Sequence, residues 1–359
     1  MKIGFDAKRY FHNRTGLGNY SRDLVDGIIR LHPEHHYFLF DKRPAHLEFP
    51  ANVIAAVPYG SKFLWRERGI IKEFKRFNID LYHGLSNELP FGKWPSNIKK
   101  IVTIHDVIFR HFPQHYAYTD RLIYHKKTEH AIKIADVIVA TSKATADDLV
   151  ALYGADEKKL KVIYQTCGKA FTKQQVVSDI ELFKSRNRLP NEFMLYVSSF
   201  QTRKHHLALL KAFQTIKGSN IKLVLAGRKG ETSNDVQALI KANALESQVT
   251  VLNDLSGAEL PLLYRAAQSF VYPSMIEGFG IPLIEAAHSG LPILVNDVAI
   301  FRELAPPGSL IHDVNDAEGF AKQLVTLSKM PKIDYTEFLK AFDADLQVET
   351  MMKLYTGSL

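Results

Sequence analysis

The residues with the clearest chemical potential lie in PSMIEGFGIPLIEAAHSGLP, residues 273–292. Glu277 and Glu285 stand there with seven residues between them, bracketing Gly278, Phe279, Gly280, Ile281 and Pro282. The preceding SFVYPS reads as a strand. IPLIEAAHSG reads as a helix, with Pro282 suited to its first turn and Gly290 to its C-terminal cap. In the loop between them, Gly278 and Gly280 let the backbone approach a ligand closely. The N–H groups of the first helical turn then face that ligand with the helix dipole behind them. This is an anion site, suited to phosphate. Carboxylates repel phosphate, so the glutamates make sense if each faces hydroxyls on either side of it, since one carboxylate accepts both hydrogen bonds of a vicinal diol. A nucleotide sugar has this layout: sugar diol, diphosphate, ribose diol. The ordinary alternative is a Glu285 that serves the helix dipole beside a solvated Glu277.

Three more strand-to-helix loops carry chemistry. In LYVSSFQTRKHHLALLKAF, Arg203 and Lys204 open a helix, where paired cations can clamp a diphosphate and neutralise a leaving group. In FHNRTGLGNYSRDL, Gly16 and Gly18 allow close backbone approach before a helix. In IVTIHDVIF, His105 can donate to a sugar hydroxyl or assist an acceptor, with Asp106 orienting it. Ser142, in ATSKATADDL, reads as an N-cap. YHGLSNELP offers His83, Asn87 and Glu88 for the acceptor side.

The segment PSMIEGFGIPLIEAAHSGLPILV resembles the glutamate-x7-glutamate signature of the retaining "group 1" glycosyltransferases, family 4. The resemblance spans nearly the whole chain and is strongest from Tyr196 to Val295. It implies the B-type glycosyltransferase fold, two domains across a cleft. Glu277 then contacts donor-sugar hydroxyls, Glu285 holds the ribose, and backbone amides at Phe279, Gly280, Ile281 and Leu283 meet the sugar and diphosphate. Lys204 matches the diphosphate-binding lysine. Many members carry arginine where Ser199 stands, so the arginine role falls to Arg203. Gly16 and Gly18 match a glycine loop facing donor phosphates and acceptor, and His105 matches a histidine that touches the donor sugar. Gly227, Arg228, Asn253 and Asp254 fall near the base. The implied reaction is transfer with retention, the leaving phosphate taking the acceptor's proton, with a GDP- or UDP-sugar as co-substrate and no cofactor. TRKHH and HGLSNELP lean towards GDP-mannose-like members. A saccharide or lipid-linked saccharide acceptor in cell-surface polysaccharide synthesis is the implied setting.

The elements that must position these residues follow from hydrophobic periodicity. KIGFDA, YFLF, NVIAAVP, DLYHGL, KIVTIHDV, DVIVAT and KLKVIY read as strands, and a second series runs FMLYVSS, IKLVLAG, VTVL, SFVYPS, LPILVN and SLIHD. Helical patterns between them predict an α/β fold with two Rossmann-like parallel-sheet domains. The expected division is an acceptor-binding domain at 1–168, a linker at 169–192, a nucleotide-sugar domain at 193–334, and helices at 335–359 packing back on the first domain.

The 359 residues, 46% hydrophobic, suit two domains. The single cysteine, Cys167, excludes an internal disulfide and suits a reducing compartment. No signal peptide or membrane-spanning run is read, and a cytoplasmic location is expected. Residues 1–168 hold 26 Lys/Arg against 18 Asp/Glu, whereas the remainder holds 20 of each, so the first half carries the whole net charge of +8. That asymmetry points to an anionic partner, and no nucleic-acid module accompanies it. SKFLWRERGIIKEFKRF, residues 61–77, reads as a basic amphipathic helix that either closes the core or docks on an anionic leaflet. Asp343-Ala344-Asp345 reads as solvated surface, and no metal is expected. Three rivals stay open. GLGNYS with Asp41 after YFLF suggests an NAD-dependent oxidoreductase, although Ser21 replaces its third glycine. An epimerase or phosphorylase of the same fold and a non-catalytic protein that binds glycan, nucleotide or nucleic acid are the others.

Overall fold

A computed structural model describes every residue except Arg14, His46, Gln174 and Leu359. The chain forms two compact units. Unit 1 comprises Met1–Thr166 with Phe342–Leu359, and unit 2 comprises Cys167–Ala341.

Unit 1 is built on seven strands: β1 (Lys2–Asp6), β2 (His36–Phe40), β3 (Val53–Ala56), β4 (Leu81–Gly84), β5 (Lys99–Ile104), β6 (Val137–Ala140) and β7 (Leu160–Val162). They lie in the order β3-β2-β1-β4-β5-β6-β7, every neighbouring pair parallel. The central strands, buried on both faces, read as unbroken apolar runs rather than alternating ones, whereas the edge strands β3 and β7 expose Ile54 and Val162. Unit 2 repeats the plan with β8 (Met194–Val197), β9 (Leu223–Gly227), β10 (Val249–Asn253), β11 (Ser269–Tyr272), β12 (Ile293–Val295) and β13 (Leu310–Ile311). Its order is β10-β9-β8-β11-β12-β13, again all parallel. Both sheets reverse their winding once, between β1 and β4 in unit 1 and between β8 and β11 in unit 2. The carboxyl ends of strands flanking such a switch point diverge and leave a crevice for ligands.

Two segments outside the sheets carry helices of their own. Residues 169–192 carry helices at Lys169–Thr172 and Val177–Arg186, and the second packs into unit 2 with Phe183 buried. Its apolar positions are sparse because only one edge touches the core. The tail divides: Thr336–Leu339 stays with unit 2, whereas Ala344–Thr356 lies against the helix Gly16–Leu31 in unit 1. Val348, Met351, Met352, Leu354 and Tyr355 join a core cluster with Ile3, Phe5 and Ile28. Asp343 and Asp345 also have structural partners. Asp343 caps the last helix by accepting from Leu346 N at 2.8 Å, and Asp345 pairs with Arg30.

The 61–77 segment is not one amphipathic helix. Leu64 adopts φ 46°, a π-helical turn covers Trp65–Gly69, and the α-helix runs only from Ile70 to Phe77. Trp65, Ile70, Ile71 and Phe74 enter the core, so most of the apolar face is internal. Tyr59 and Phe63, each 83% exposed, and Leu64 remain outside.

Tyr355 closes a buried hydrogen-bond chain. Its hydroxyl meets His83 Nδ1 at 2.6 Å, and His83 Nε2 meets Thr103 Oγ1 at 2.8 Å. A buried polar atom stripped of its partner keeps its desolvation penalty. Tyr355→Phe should therefore lower the stability of unit 1 by about 1–3 kcal/mol in denaturant titration; an unchanged midpoint would show that the chain contributes nothing.

Candidate active site

In unit 2 the two loops that leave the switch-point strands meet. After β8 the chain runs through Ser198 and Ser199 to a short 3₁₀ turn, Thr202–Lys204, and His205 at φ 54° then turns it into the helix His206–Gln214. After β11 it runs from Pro273 to Gly280, whose φ of 98° starts the helix Ile281–His288. Met275 N donates to Arg203 O at 2.9 Å and locks the loops together.

The side chains converge on Glu277. Lys204 Nζ forms an ion pair with its Oε1, and Arg203 reaches Oε2 at 3.5 Å. The Tyr272 hydroxyl donates to Oε1 at 2.9 Å, and the Tyr272 ring lies 5.8 Å from Lys204 Nζ. Lys204 is 9% exposed and Glu277 10%, so water solvates neither charge well. Burial alone would raise the Glu277 pKa, but Lys204 and then Arg203 hold it below its ordinary value. It is therefore a carboxylate at neutral pH. Tyr272 and Tyr196, which donates to Lys204 O at 2.6 Å, were not foreseen. They read as apolar strand residues, although a buried tyrosine hydroxyl needs a partner and loop ends supply one.

Among the described residues no cation pairs with Glu285. Burial pushes its pKa up to about 7. The Tyr264 hydroxyl lies close enough to lower it somewhat but makes no hydrogen bond of good geometry. The glycine helix start is as expected, but its amides are not equivalent. Leu283 N donates to Gly280 O at 2.9 Å and Pro282 has no N–H, which leaves Gly280 and Ile281 as better donors. The side chains of Phe279 and Leu283 are buried, so only their backbone faces outward chemistry. Gly278 lies between Glu277 and Phe279 in that loop.

Gly227 and Asn253 are register partners at the ends of β9 and β10, with the exposed Arg228 next to them. A Cβ on Gly227 would stand 1.7 Å from Ser198 O, so this glycine is required by the neighbouring backbone.

Unit 1 sorts its candidates differently. Gly16 is the first residue of the helix Gly16–Leu31 and is exposed. Gly18 is buried, and a Cβ there would lie 1.8 Å from Asn13 O. Its small size serves the chain's own turn, a correction to the ligand-facing expectation. His83 is likewise corrected from an acceptor-side residue to a core one, fully buried with both ring nitrogens hydrogen-bonded and its pKa lowered by burial to about 3. His105 is held on both sides: Nε2 donates to Leu85 O at 2.9 Å, and Gln165 Nε2 donates to Nδ1 at 2.8 Å. Burial lowers its pKa to about 4, so it is a neutral imidazole. Asn87, at φ 58°, ties two loops by accepting from His105 N and donating to Asp106 O. Asp106 accepts from Ile108 N at 3.1 Å. Ser142 is an N-cap, accepting from Thr145 N. Asp41, the ribose acid of the oxidoreductase reading, accepts from Arg43 N at 2.7 Å and pairs with His12. Among the described residues no group of three or more His, Cys, Asp or Glu could hold a metal ion.

Two outcomes follow. Between pH 4.5 and about 7 the native Glu285 carboxyl holds its proton more tightly than the unfolded one, so it subtracts stability as pH rises through that window. The melting-temperature advantage of Glu285→Gln over wild type should grow from about pH 5 to about pH 8; a pH-independent difference would refute the perturbed carboxyl. Gly227→Ala should destabilise unit 2 by about 1–3 kcal/mol in the absence of any ligand, which separates packing from binding.

Comparison with known proteins places this geometry. Residues 177–341 match the family model for glycosyl transferases group 1, and residues 14–166 match that for glycosyltransferase family 4. O-antigen chain mannosyltransferase B of Escherichia coli is 24% identical over 264 residues, 72% of this chain and 67% of that protein. O-antigen chain mannosyltransferase RfbU of Salmonella typhimurium is 25% identical over 246 residues, 68% of this chain and 65% of that protein. The chain thus aligns with about two thirds of the length of these relatives. Sucrose-phosphate synthase of Thermosynechococcus elongatus superposes with a TM-score of 0.74 at 19% identity, covering 99% of this chain and 98% of that one. Anabaena Alr3699/HepE, solved with UDP and glucose, gives 0.73 at 17% identity over 100% of both chains. The two family matches fall one on each sheet unit and take in most of the sequence; the chain belongs to the group 1 glycosyltransferases and has their B-type fold.

Proposed function

We propose that this glycosyltransferase moves a hexose, mannose in the first instance, from a nucleotide sugar to a saccharide or lipid-linked saccharide during cell-surface polysaccharide synthesis, with retention and without a metal. The observation that carries the reading is the Lys204–Glu277 pair beside Arg203 and the Gly280 helix start. It is a set of cations and amides for a diphosphate next to a carboxylate for hydroxyls. The mannosyltransferase relatives and the TRKHH stretch support mannose.

The residues divide the chemistry. Lys204 and Arg203 compensate the charge that develops on the departing diphosphate, and amides at the helix start share it. Glu277 holds donor-sugar hydroxyls. Glu285 accepts the ribose diol, and a diol or a proton satisfies its buried carboxyl equally well. Gly227, Arg228 and Asn253 form the base end, and Ser199 lies in the loop that carries Arg203 and Lys204 towards the donor. The acceptor's hydroxyl proton passes to the leaving phosphate oxygen as the new glycosidic bond forms. His105, committed at both nitrogens, acts by position rather than by proton transfer. Unit 1, which holds most of the basic excess, takes the acceptor, with Asn87 and Asp106 in the loops after β4 and β5.

Glu285→Ala should weaken donor binding at least tenfold while leaving saturated turnover within a few-fold, since it acts on the ground state and transition state alike. Glu277→Ala and Lys204→Ala should instead lower kcat by about 10²-fold or more. Initial-rate kinetics with GDP-mannose and UDP-hexoses decides; full turnover in the latter two variants would overturn the assignment. Tyr59, Phe63 and Leu64, flanked by the exposed Lys62 and Arg68, are the proposed contact with an anionic membrane face. No described helix is long and apolar enough to cross a membrane. Co-sedimentation with phosphatidylglycerol vesicles at low salt should fall several-fold in Phe63→Asp; absence of binding by the wild type would remove the membrane from the proposal.

A further inference from the structure

Unit 1 has its own crevice, at its own switch point. Its walls come from the ends of β1, β4 and β5 and from the helix Tyr118–Ile134, and its cavity volume is about 220 Å³. Arg9 enters from the β1 side, Asn87 and Glu88 from the β4 loop, and Tyr116, Tyr124 and Lys127 from the far wall.

The charges in this crevice are unequal in their partners. Lys127 Nζ bonds Glu88 Oε2 at 2.6 Å, and Glu88 Oε1 takes Arg66 Nη1 at 2.8 Å. Arg66 is in turn neutralised by Asp6 at the end of β1. Glu88 is therefore doubly compensated. Arg9 is different. Its guanidinium donates from Nε to Ser86 Oγ at a long 3.4 Å, and among the described residues no carboxylate pairs with it. It is half-buried, and its charge is felt at His105, whose pKa it helps to lower. A guanidinium presents a rigid fork of donors matched to phosphate oxygens. One that is partly desolvated, faces a cavity and lacks a carboxylate is a vacant anion anchor. Aromatic rings on the opposite wall offer flat faces of the kind that sugar rings cover.

We propose that this crevice binds a phosphate- or diphosphate-bearing saccharide, with Arg9 as the anion anchor and Tyr116 and Tyr124 against the sugar. This rests on the glycosyltransferase reading and narrows its acceptor to an anionic one. The phosphate can belong to a soluble sugar phosphate or to a lipid carrier, and both present the same oxygens to Arg9.

The test uses the full chain carrying Lys204→Ala, which disables the cation pair of unit 2. Calorimetry compares α-mannose 1-phosphate, methyl α-mannoside, farnesyl diphosphate and farnesol. Mannose 1-phosphate should bind at least about tenfold more tightly than methyl mannoside, the scale of a charge-assisted hydrogen bond. Arg9→Ala should erase that advantage without changing methyl mannoside binding, and Arg9→Lys should restore part of it. Stronger binding of farnesyl diphosphate than of mannose 1-phosphate assigns the phosphate to a lipid carrier, and the reverse assigns it to a soluble sugar. Equal binding of charged and neutral probes, no binding of any phosphorylated probe, or insensitivity to Arg9→Ala overturns the proposal. A thermal-shift panel of nucleotide sugars on Arg9→Ala with Lys204 intact is the separating control. Donor stabilisation should persist there, and its absence in wild type as well would count against the glycosyltransferase chemistry while leaving the Arg9 result to stand on its own.

Discussion

The Lys204–Glu277 pair is the interaction on which unit 2 depends. Two opposite charges with little exposure are stable only while each has the other, because removal of one partner leaves an uncompensated buried ion. The fold accordingly surrounds them. Tyr272 donates to the carboxylate, Tyr196 fixes the Lys204 backbone, and Met275 N ties the two loops. Parallel strands β8 and β11 are neighbours although β9 and β10 lie between them in sequence. That crossover brings a cation from one loop to a carboxylate from another. A diol and a diphosphate entering here would give each charge a second partner without asking either to return to water.

The two glutamates of the same motif differ because their surroundings differ. Glu277 has cations and is held below its ordinary pKa, whereas Glu285, beside the Tyr264 hydroxyl, is driven by burial towards its neutral form. Identical side chains thus acquire different proton affinities from burial and charge alone. Unit 1 shows the neutral counterpart. His83 and His105 are held uncharged by burial, each with both nitrogens engaged, so they position neighbouring groups and carry no titration near neutrality.

Much of this was legible in the residue pattern. All thirteen strands lie on the apolar runs that suggested them, and for the central strands, buried on both faces, a continuous run is required. Pro282, Gly280 and Gly290 marked the helix that follows Glu277, and Ser142 marked its own cap. Other features were misread for identifiable reasons. His83 has the same residue type and strand-end position as a ligand-facing histidine, and only its enclosure by Tyr355, 272 residues away in sequence, makes it core. Gly18 looked like a ligand glycine, but the close neighbour is Asn13 O. Segment 61–77 showed the right moment for a surface helix, yet a left-handed Leu64 and a π-turn divide it. Segment 169–192 looked like a linker because its helix buries a single large residue, Phe183.

The sequence by itself determined the elements, the two-sheet class and the loops rich in chemistry, because periodicity, glycine, proline and capping residues act within a few positions of one another. Only the tertiary structure decided which of those residues meet. Charge pairing, burial and hydrogen-bond satisfaction depend on groups brought together from distant parts of the chain. Lys204 and Glu277 are 73 residues apart and Arg66 and Asp6 are 60 apart. No local rule states their distance, and that distance sets whether each is an ion, a neutral acid or a free anchor.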